Sequence, residues 1–493
     1  MTLSTIGSDQ RSVLHKLAGR VTGNFIDGRW TPSGSPDTIT VLDPSTGREI
    51  GTVPASSAAD VDAAVAAART AQPGWAALTP AARSKYLLDI ATLTEELLEE
   101  ISIIEAVDAG KPITAVRDEE LPGVIDAMRF FAGAARTLPA PSSGDYLEGV
   151  SSIMRREPVG VAAGITPWNY PLLQAVAKVF PALATGNTYV LKPAETTPYS
   201  TAWLAEIVAR VLPDGVFNVV FGTGSVAGDA LARHPKVDVV SFTGSIETGR
   251  KVGIAAADGV KKAIMELGGN SPVIVFGDAD LESALDAIAI GGLYNTGQEC
   301  MSASRVIVHA SLLDAFVDGL KTRCSREKLG DVLDPTTTIG PLNSAQQRDR
   351  VLAKIEARTS GARVVAGGEN CEGDGFFFPP TIVVGVADDE ELVQEEIFGP
   401  VFTVQTFETE EQAIALANGT RYGLASSVFT SNVGTATRVQ NALNFGTVWV
   451  NNHLVFAADL PVSGFGASGI GTENAEAGLL EYTRLKHVMV DNR

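Results

Sequence analysis

Four short apolar runs recur between residues 159 and 242, at 159–165, 188–191, 216–221 and 237–242, and each is followed by a stretch long enough for a helix. The repeat is about 25 residues, the length of one strand–helix unit. Strands separated by helices cannot pair as hairpins. They pair in parallel, and the helices cover both faces of the sheet. A ligand of such a sheet lies beyond the carboxyl ends of the strands, where the strand order reverses. A further run at 272–276 precedes a helical pattern at 281–293 and a Gly-Gln-Glu-Cys turn, and the alternation continues from Arg305 to Val450, which predicts a second α/β domain.

Before this region, residues 59–71, 81–108 and 120–137 carry apolar side chains at three- and four-residue spacing and read as helices. Residues 139–144, Pro-Ala-Pro-Ser-Ser-Gly, break that pattern as a linker or hairpin. The mixed segment 482–490 reads as an edge strand. A chain of 493 residues predicts about two to four domains. Its net charge of −20 excludes a general binder of phosphate backbones, so no nucleic-acid partner is expected. The start MTLSTIGSDQRS is polar and no apolar run reaches about 18 residues, which predicts neither a signal peptide nor a membrane span. Three scattered cysteines, Cys300, Cys324 and Cys371, make neither a disulfide framework nor a metal site. They point to a reducing cytoplasm, where a thiol stays free to react.

Six stretches carry groups that do chemistry, the first four with a plainer reading beside each. Cys300 in Asn295-Thr-Gly-Gln-Glu-Cys-Met is by default a core thiol, yet the polar turn before it could present it to a ligand. Glu266 ends the apolar run 263–267 and precedes two glycines; it either caps a turn or, partly buried and raised in pKa, serves as a general base. Asn169, in Ile165-Thr-Pro-Trp-Asn-Tyr-Pro, is a turn residue or an amide donor to an oxyanion. Lys192 and Glu195 form a surface pair or hold the hydroxyls of a ribose; a carboxylate there repels a 2′-phosphate and so favours NAD over NADP. Gly222, Gly224 and Gly228 follow the third run one residue out of step with the dinucleotide fingerprint, and Gly244-Ser245 opens a helix whose N–H groups, with the Ser245 hydroxyl, suit a pyrophosphate.

Together these stretches resemble the NAD(P)-dependent aldehyde dehydrogenase superfamily over nearly the whole chain, through PWNYPL, LKPAE, FTGS, MELGGNSP, GQEC, EEIFGPV, YGLASSVFT and GTVWVN. The resemblance implies an α/β fold with a Rossmann-type cofactor domain (1–138 and 157–267), an α/β catalytic domain (268–450) and a small β oligomerisation arm (139–156 and 451–493). It implies Cys300 as nucleophile, Glu266 as general base, Asn169 with the Cys300 N–H as oxyanion hole, and Lys178 with Glu473 as a proton-relay pair. It places NAD against Ile165, Thr166, Pro167, Trp168, Lys192, Glu195, Gly228, Gly244, Ser245, Thr248, Leu267, Gly268, Glu396 and Phe398. The oligomer implied is a homodimer or homotetramer, and no metal is called for.

The segments 129–136, 144–149, 154–160 and 481–490 are similar to those of 4-aminobutyraldehyde and betaine-aldehyde dehydrogenases, which implies a small cationic aldehyde as substrate. Tyr170, Tyr294 and Phe456 fall where that family lines its substrate tunnel, and aromatic faces attract ammonium groups. Glu299 and the acidic run ending in Glu120 are added as contacts to the substrate, the run being otherwise a solvated helix start. Two departures point to a wider scope. Ala177 stands where these enzymes carry Trp, and no basic residue precedes Ser468-Gly469. A general aliphatic or aromatic aldehyde dehydrogenase is therefore the alternative, and a catalytically silent NAD-binding protein is the alternative of another class.

Overall fold

The computed structural model describes residues 6–493, so the first five residues of the polar start lie outside the described residues. An eight-stranded sheet has five parallel strands at its centre, in the order Lys262–Leu267, Val239–Gly244, Val161–Ile165, Thr188–Lys192, Phe217–Val219. In chain order this is 5-4-1-2-3, so the order reverses between Val161–Ile165 and Val239–Gly244. The crevice beyond the carboxyl ends of these two strands is therefore the topological switch point. Both Val161–Ile165 and Thr188–Lys192 are buried along their whole length, as continuous apolar strands under two helical layers must be. The helix Pro171–Ala184 follows the first strand with Pro at its first position, and Ser245 caps the helix Ile246–Asp258 after the fourth.

A second sheet of seven strands runs from Pro272–Val275 to Thr447–Val450, parallel except at the Arg363–Ala366 edge. A third, antiparallel, joins Gly144–Leu147, Val150–Pro158 and Thr483–Asp491. Of residues 451–493, assigned above to one arm, only that last strand enters the third sheet. Gly469–Ile470 pairs with Lys262–Leu267 at the edge of the first sheet.

Two sequence expectations are corrected. The continuous helix at 81–108 is two helices, Pro80–Glu96 and Leu98–Ala109, broken at Leu97 (φ −107°, ψ 22°). The first buries one stripe, whereas the second buries nearly every residue from Ile101 onward, including Glu105 and Asp108; one straight axis does not serve both. The first third also holds strands: Asn24–Ile26 and Arg29–Thr31 extend the large sheet, and Thr38–Leu42 pairs with Glu49–Pro54. Asn24–Ile26 and Arg29–Thr31 are too short to show a period of two, whereas Thr38–Leu42 does alternate polar and apolar residues over its first four positions.

Candidate active site

The strand Val161–Ile165 ends in a buried loop that carries Asn169 onto the segment before Cys300. The Asn169 amide donates to the Gln298 carbonyl at 2.9 Å, and the Asn295 amide donates back to the Asn169 carbonyl at 3.0 Å. Gln298 donates to the Asn295 carbonyl at 3.1 Å and accepts from the Asn343 N–H at 2.8 Å. These bonds hold three successive left-handed residues, Asn295 (φ 49°), Thr296 (φ 58°) and Gly297 (φ 67°). A β-branched residue resists that conformation, and Thr296 keeps it with its hydroxyl bonded to the Gly340 carbonyl at 3.1 Å. Any side chain at Gly297 would run into the Gly399 carbonyl.

Cys300 emerges from this loop half-buried, with Sγ 3.2 Å from a Glu299 carboxylate oxygen that also accepts from the Met301 N–H at 3.2 Å. Burial pushes the thiol well above its ordinary range, and the Glu299, Glu266 and Glu396 charges push the same way. Glu266 sits at the end of Lys262–Leu267, in register with Thr243. It is buried, and among the described residues one of its oxygens has no hydrogen-bond partner. Burial first, then the Glu473 charge, raises its carboxyl well above the usual range against the pull of Lys178. Lys178 is fully buried, bonds the Thr243 hydroxyl at 2.6 Å and pairs with Glu473, so the Lys178/Glu473 pair lies beside Glu266. Gly269 packs on the Cys300 carbonyl and takes Glu396 onto its N–H at 3.0 Å. Burial lifts Glu396 to about 8.

The switch-point crevice carries the other polar groups. A Cβ on Gly228 would rest 3.8 Å from Ile165 and 3.9 Å from Lys192, so its absence leaves a shallow floor between them. Lys192 bonds Glu195 at 3.1 Å; burial lowers the lysine while Glu195 supports it. Thr166 is buried and Pro167 half-buried at the rim. The half-buried Gly244 leads to an exposed helix start, but the Ser245 hydroxyl is committed to Thr248, accepting from its N–H at 3.3 Å and donating to its hydroxyl at 3.1 Å. Leu267 packs under this helix against Gly249, Gly268 lies against Glu396, and the Trp168 ring meets Phe398 edge-on at 5.2 Å.

On the other side of Cys300, Tyr170 is buried, Tyr294 half-buried and Phe456 51% exposed, the last edge-on to Trp449 at 5.9 Å. The acidic run divides. Asp118 pairs with Arg117 at the surface, while Glu120 turns inward on a single π-helical turn rather than at a helix start. There Lys111 bonds both Glu120 oxygens at 2.7 Å and Glu105 at 2.8 Å, with its ammonium 4.6 Å from the centre of the Tyr170 ring. Burial still raises Glu120 above the ordinary carboxylate range.

Lys111 is not among the residues the sequence singles out, although a lysine between Gly110 and Pro112 just past an apolar helix is a weak signal of a buried partner. Nor is His453, whose Nδ1 lies 2.6 Å from the Ser427 hydroxyl and Nε2 2.8 Å from the Met301 carbonyl. Because a carbonyl only accepts, Nε2 carries the proton and the Ser427 hydroxyl donates to Nδ1; burial holds the ring neutral, with a pKa near 4. Among the described residues no group of three or more His, Cys, Asp or Glu could hold a metal ion, and no helix is long and apolar enough to cross a membrane.

The model of the aldehyde dehydrogenase family matches residues 30–488. A betaine aldehyde dehydrogenase of Cereibacter sphaeroides is 43% identical over 95% of this chain and 96% of its own length. Betaine aldehyde dehydrogenase 1 of Rhizobium meliloti is 42% identical over 95% and 96%. The crystal structure of betaine aldehyde dehydrogenase from Staphylococcus aureus in complex with NAD+ superposes with a TM-score of 0.95 at 38% identity, covering 98% of both chains. A free thiol, an amide and a buried carboxyl gathered where two parallel sheets meet, on a chain with this extent of likeness, have one reading: the chain belongs to the aldehyde dehydrogenase family.

Proposed function

We propose that this chain oxidises an aldehyde to its carboxylic acid with NAD, and that its substrate is a small aminoaldehyde such as 4-aminobutyraldehyde or betaine aldehyde. The observation that carries the chemistry is the convergence on Cys300 of the Asn169 amide from one sheet and the Glu266 carboxyl from the end of another strand of it. The residues of the crevice fit a dinucleotide. Gly228 leaves the floor a Cβ would fill, Lys192 and Glu195 stand beside it for a ribose, and the exposed start of the Ile246–Asp258 helix offers N–H groups to a pyrophosphate. Ile165, Thr166, Pro167, Trp168, Leu267, Glu396 and Phe398 line the way from there to the thiol. NAD bound there supplies the two-electron acceptor for the aldehyde hydrogen.

The chain's own residues do the rest. Cys300, once deprotonated, adds to the aldehyde carbon. Asn169 gives one amide hydrogen to Gln298 and keeps the other for the oxyanion, alongside the Cys300 N–H. Glu266, with an unpartnered oxygen, takes a proton from the water that releases the acid from Cys300, and Lys178 with Glu473 carries it on. A carboxyl held high by burial is protonated at low pH, so its water-activating form emerges above the range of an ordinary glutamate. The acidic limb of kcat is accordingly displaced upward. Glu266→Gln is expected to give one rapid burst of NADH and then stall as the acyl-enzyme; steady turnover at the normal rate in that variant would remove Glu266 from the role.

The aminoaldehyde assignment rests on the relatives and on the aromatic side chains near Cys300. A second reading, an uncharged aliphatic or aromatic aldehyde, is favoured by Lys111, which already places a cation on the Tyr170 ring and engages Glu120. Comparing kcat/KM for 4-aminobutyraldehyde, betaine aldehyde, propanal and benzaldehyde separates the two, and a preference for the last pair selects the second. If none of them gives NADH while NAD still binds, the chain is a silent NAD-binding protein. A homodimer or homotetramer is supported by the third sheet, whose Tyr146, Leu147, Ile153, Leu485 and Met489 are exposed apolar side chains. The free state of all three cysteines suits a reducing cytoplasm.

A further inference from the structure

After burial, the groups that act most strongly on the Cys300 thiol are the carboxyls of Glu299, Glu266 and Glu396, and all three disfavour its ionisation. Lys178 is turned to Thr243 and Glu473 instead. Losing the thiol proton to solvent would leave a thiolate among carboxylates in a half-buried site. A transfer that stays inside the site adds no charge to it.

Glu299 is built to receive that proton. Its side chain is buried, and the Met301 N–H at 3.2 Å pins the same oxygen that faces Sγ at 3.2 Å. Glu266 presents an oxygen with no partner among the described residues, as a group that works on water needs, whereas the Glu299 oxygen is already on the thiol. Glu396 is held by the Gly269 N–H.

We propose that Glu299 is the catalytic residue that accepts the Cys300 proton and later returns it, a division of labour with Glu266 that rests on the aldehyde-oxidising reading above. In the forward step the Sγ–H bond breaks and a Glu299 O–H bond forms. The sulfur electron pair then makes the S–C bond, and the carbonyl π pair moves onto oxygen, where Asn169 and the Cys300 N–H meet it. Once the aldehyde hydrogen has left with its electron pair to the two-electron acceptor and water has displaced the resulting acyl group, the S–C pair returns to sulfur and Glu299 gives back its proton. The site carries the same net charge at the start, after the transfer and at the end.

The test is the rate of Cys300 alkylation by iodoacetamide in the protein without cofactor, between pH 5.5 and 10, for the native chain and for Glu299→Gln. Glutamine keeps an acceptor for the Met301 N–H and the same volume, and thermal melts of both proteins check that the fold is retained. A thiolate made by internal transfer does not depend on pH while the pair holds one proton. The native chain is therefore expected to show a reactive plateau through neutral pH, and Glu299→Gln to lose it and follow a single ionisation at high pH. In stopped flow, the first-turnover NADH burst of Glu299→Gln is expected to slow by about 10²-fold or more, the range general bases contribute, and Glu299→Asp to recover part of it. A plateau and burst unchanged in Glu299→Gln overturn the proposal even if the enzyme oxidises aldehydes. If no aldehyde is oxidised, the plateau and its loss still report on the Glu299–Cys300 pair by themselves.

Discussion

The crevice at the switch point and the junction around Cys300 are built on opposite plans. In the crevice, polar groups sit at strand ends within reach of solvent: Ser245 and Thr248 are exposed, Glu195 is partly exposed, and the N–H groups of a helix start face outward. At the junction the groups that brace the loop are committed, while one Glu266 oxygen is left without a partner among the described residues. Asn169, Asn295, Gln298 and Asn343 close on one another across segments far apart in the chain, and the carboxyls of Glu266, Glu299 and Glu396 are out of water. A site that receives a large polar ligand keeps its donors free until the ligand arrives, whereas a site that makes and breaks bonds holds its groups before the substrate comes. Substitutions should therefore act abruptly at the junction and gradually in the crevice.

Cys300→Ser gives the largest effect. Loss of the nucleophile is expected to lower kcat by about 10⁴-fold or more, as in other covalent enzymes. NAD affinity, read by fluorescence titration, should be retained, because the crevice owes nothing to the thiol. A parallel loss of NAD binding would mean that the two regions are one cooperative unit. Asn169→Ala comes next, at about 10²–10³-fold in kcat, the range for one oxyanion donor. It removes a bond to Gln298 as well, so the comparison is sharpest if KM for NAD stays put while kcat falls.

Glycines divide the regions again, by strain. Gly297→Ala forces a Cβ at φ 67° toward the Gly399 carbonyl, and a cost of about 1–3 kcal/mol is expected in thermal or denaturant unfolding. Gly224→Ala, in the glycine pattern after the third strand, meets nothing within 4 Å at its Cβ and should leave stability where it was. Equal losses in the two variants would show that Gly224 is constrained by something other than space.

The same contrast explains what could be read from the amino acids. Parallel strands and the groups at their ends follow from local spacing, so Ile165, Lys192, Glu266 and the helix Leu281–Leu293 stood out along the chain, the last with the bounds observed. The junction is made by contacts with no local mark. Thr296 is a strand-favouring residue in a left-handed turn, His453 reaches Met301 from 152 positions away, and Lys111 finds Tyr170 only after two helices have packed. The acidic run was visible, but which of its members turns inward depends on a π-helical turn that residues 116–120 do not announce. The Ser245 hydroxyl, read from the sequence as a ligand to phosphate, also caps its helix, a use that draws on the same residue at the same position.

The smallest effect, and the one that bears most directly on the crevice, is cofactor choice. In the proposed role Glu195 would disfavour a 2′-phosphate by charge, but its side chain is 41% exposed and water screens it. Glu195→Gln removes that charge while keeping an acceptor beside Lys192, so the ratio of kcat/KM for NADP to that for NAD should rise by about fivefold, equivalent to ~1 kcal/mol. The burst and the acidic limb of kcat should not move, because neither Glu195 nor Lys192 is among the groups acting on Cys300 or Glu266. If the variant instead loses turnover with both cofactors alike, Glu195 holds the loop rather than the ribose.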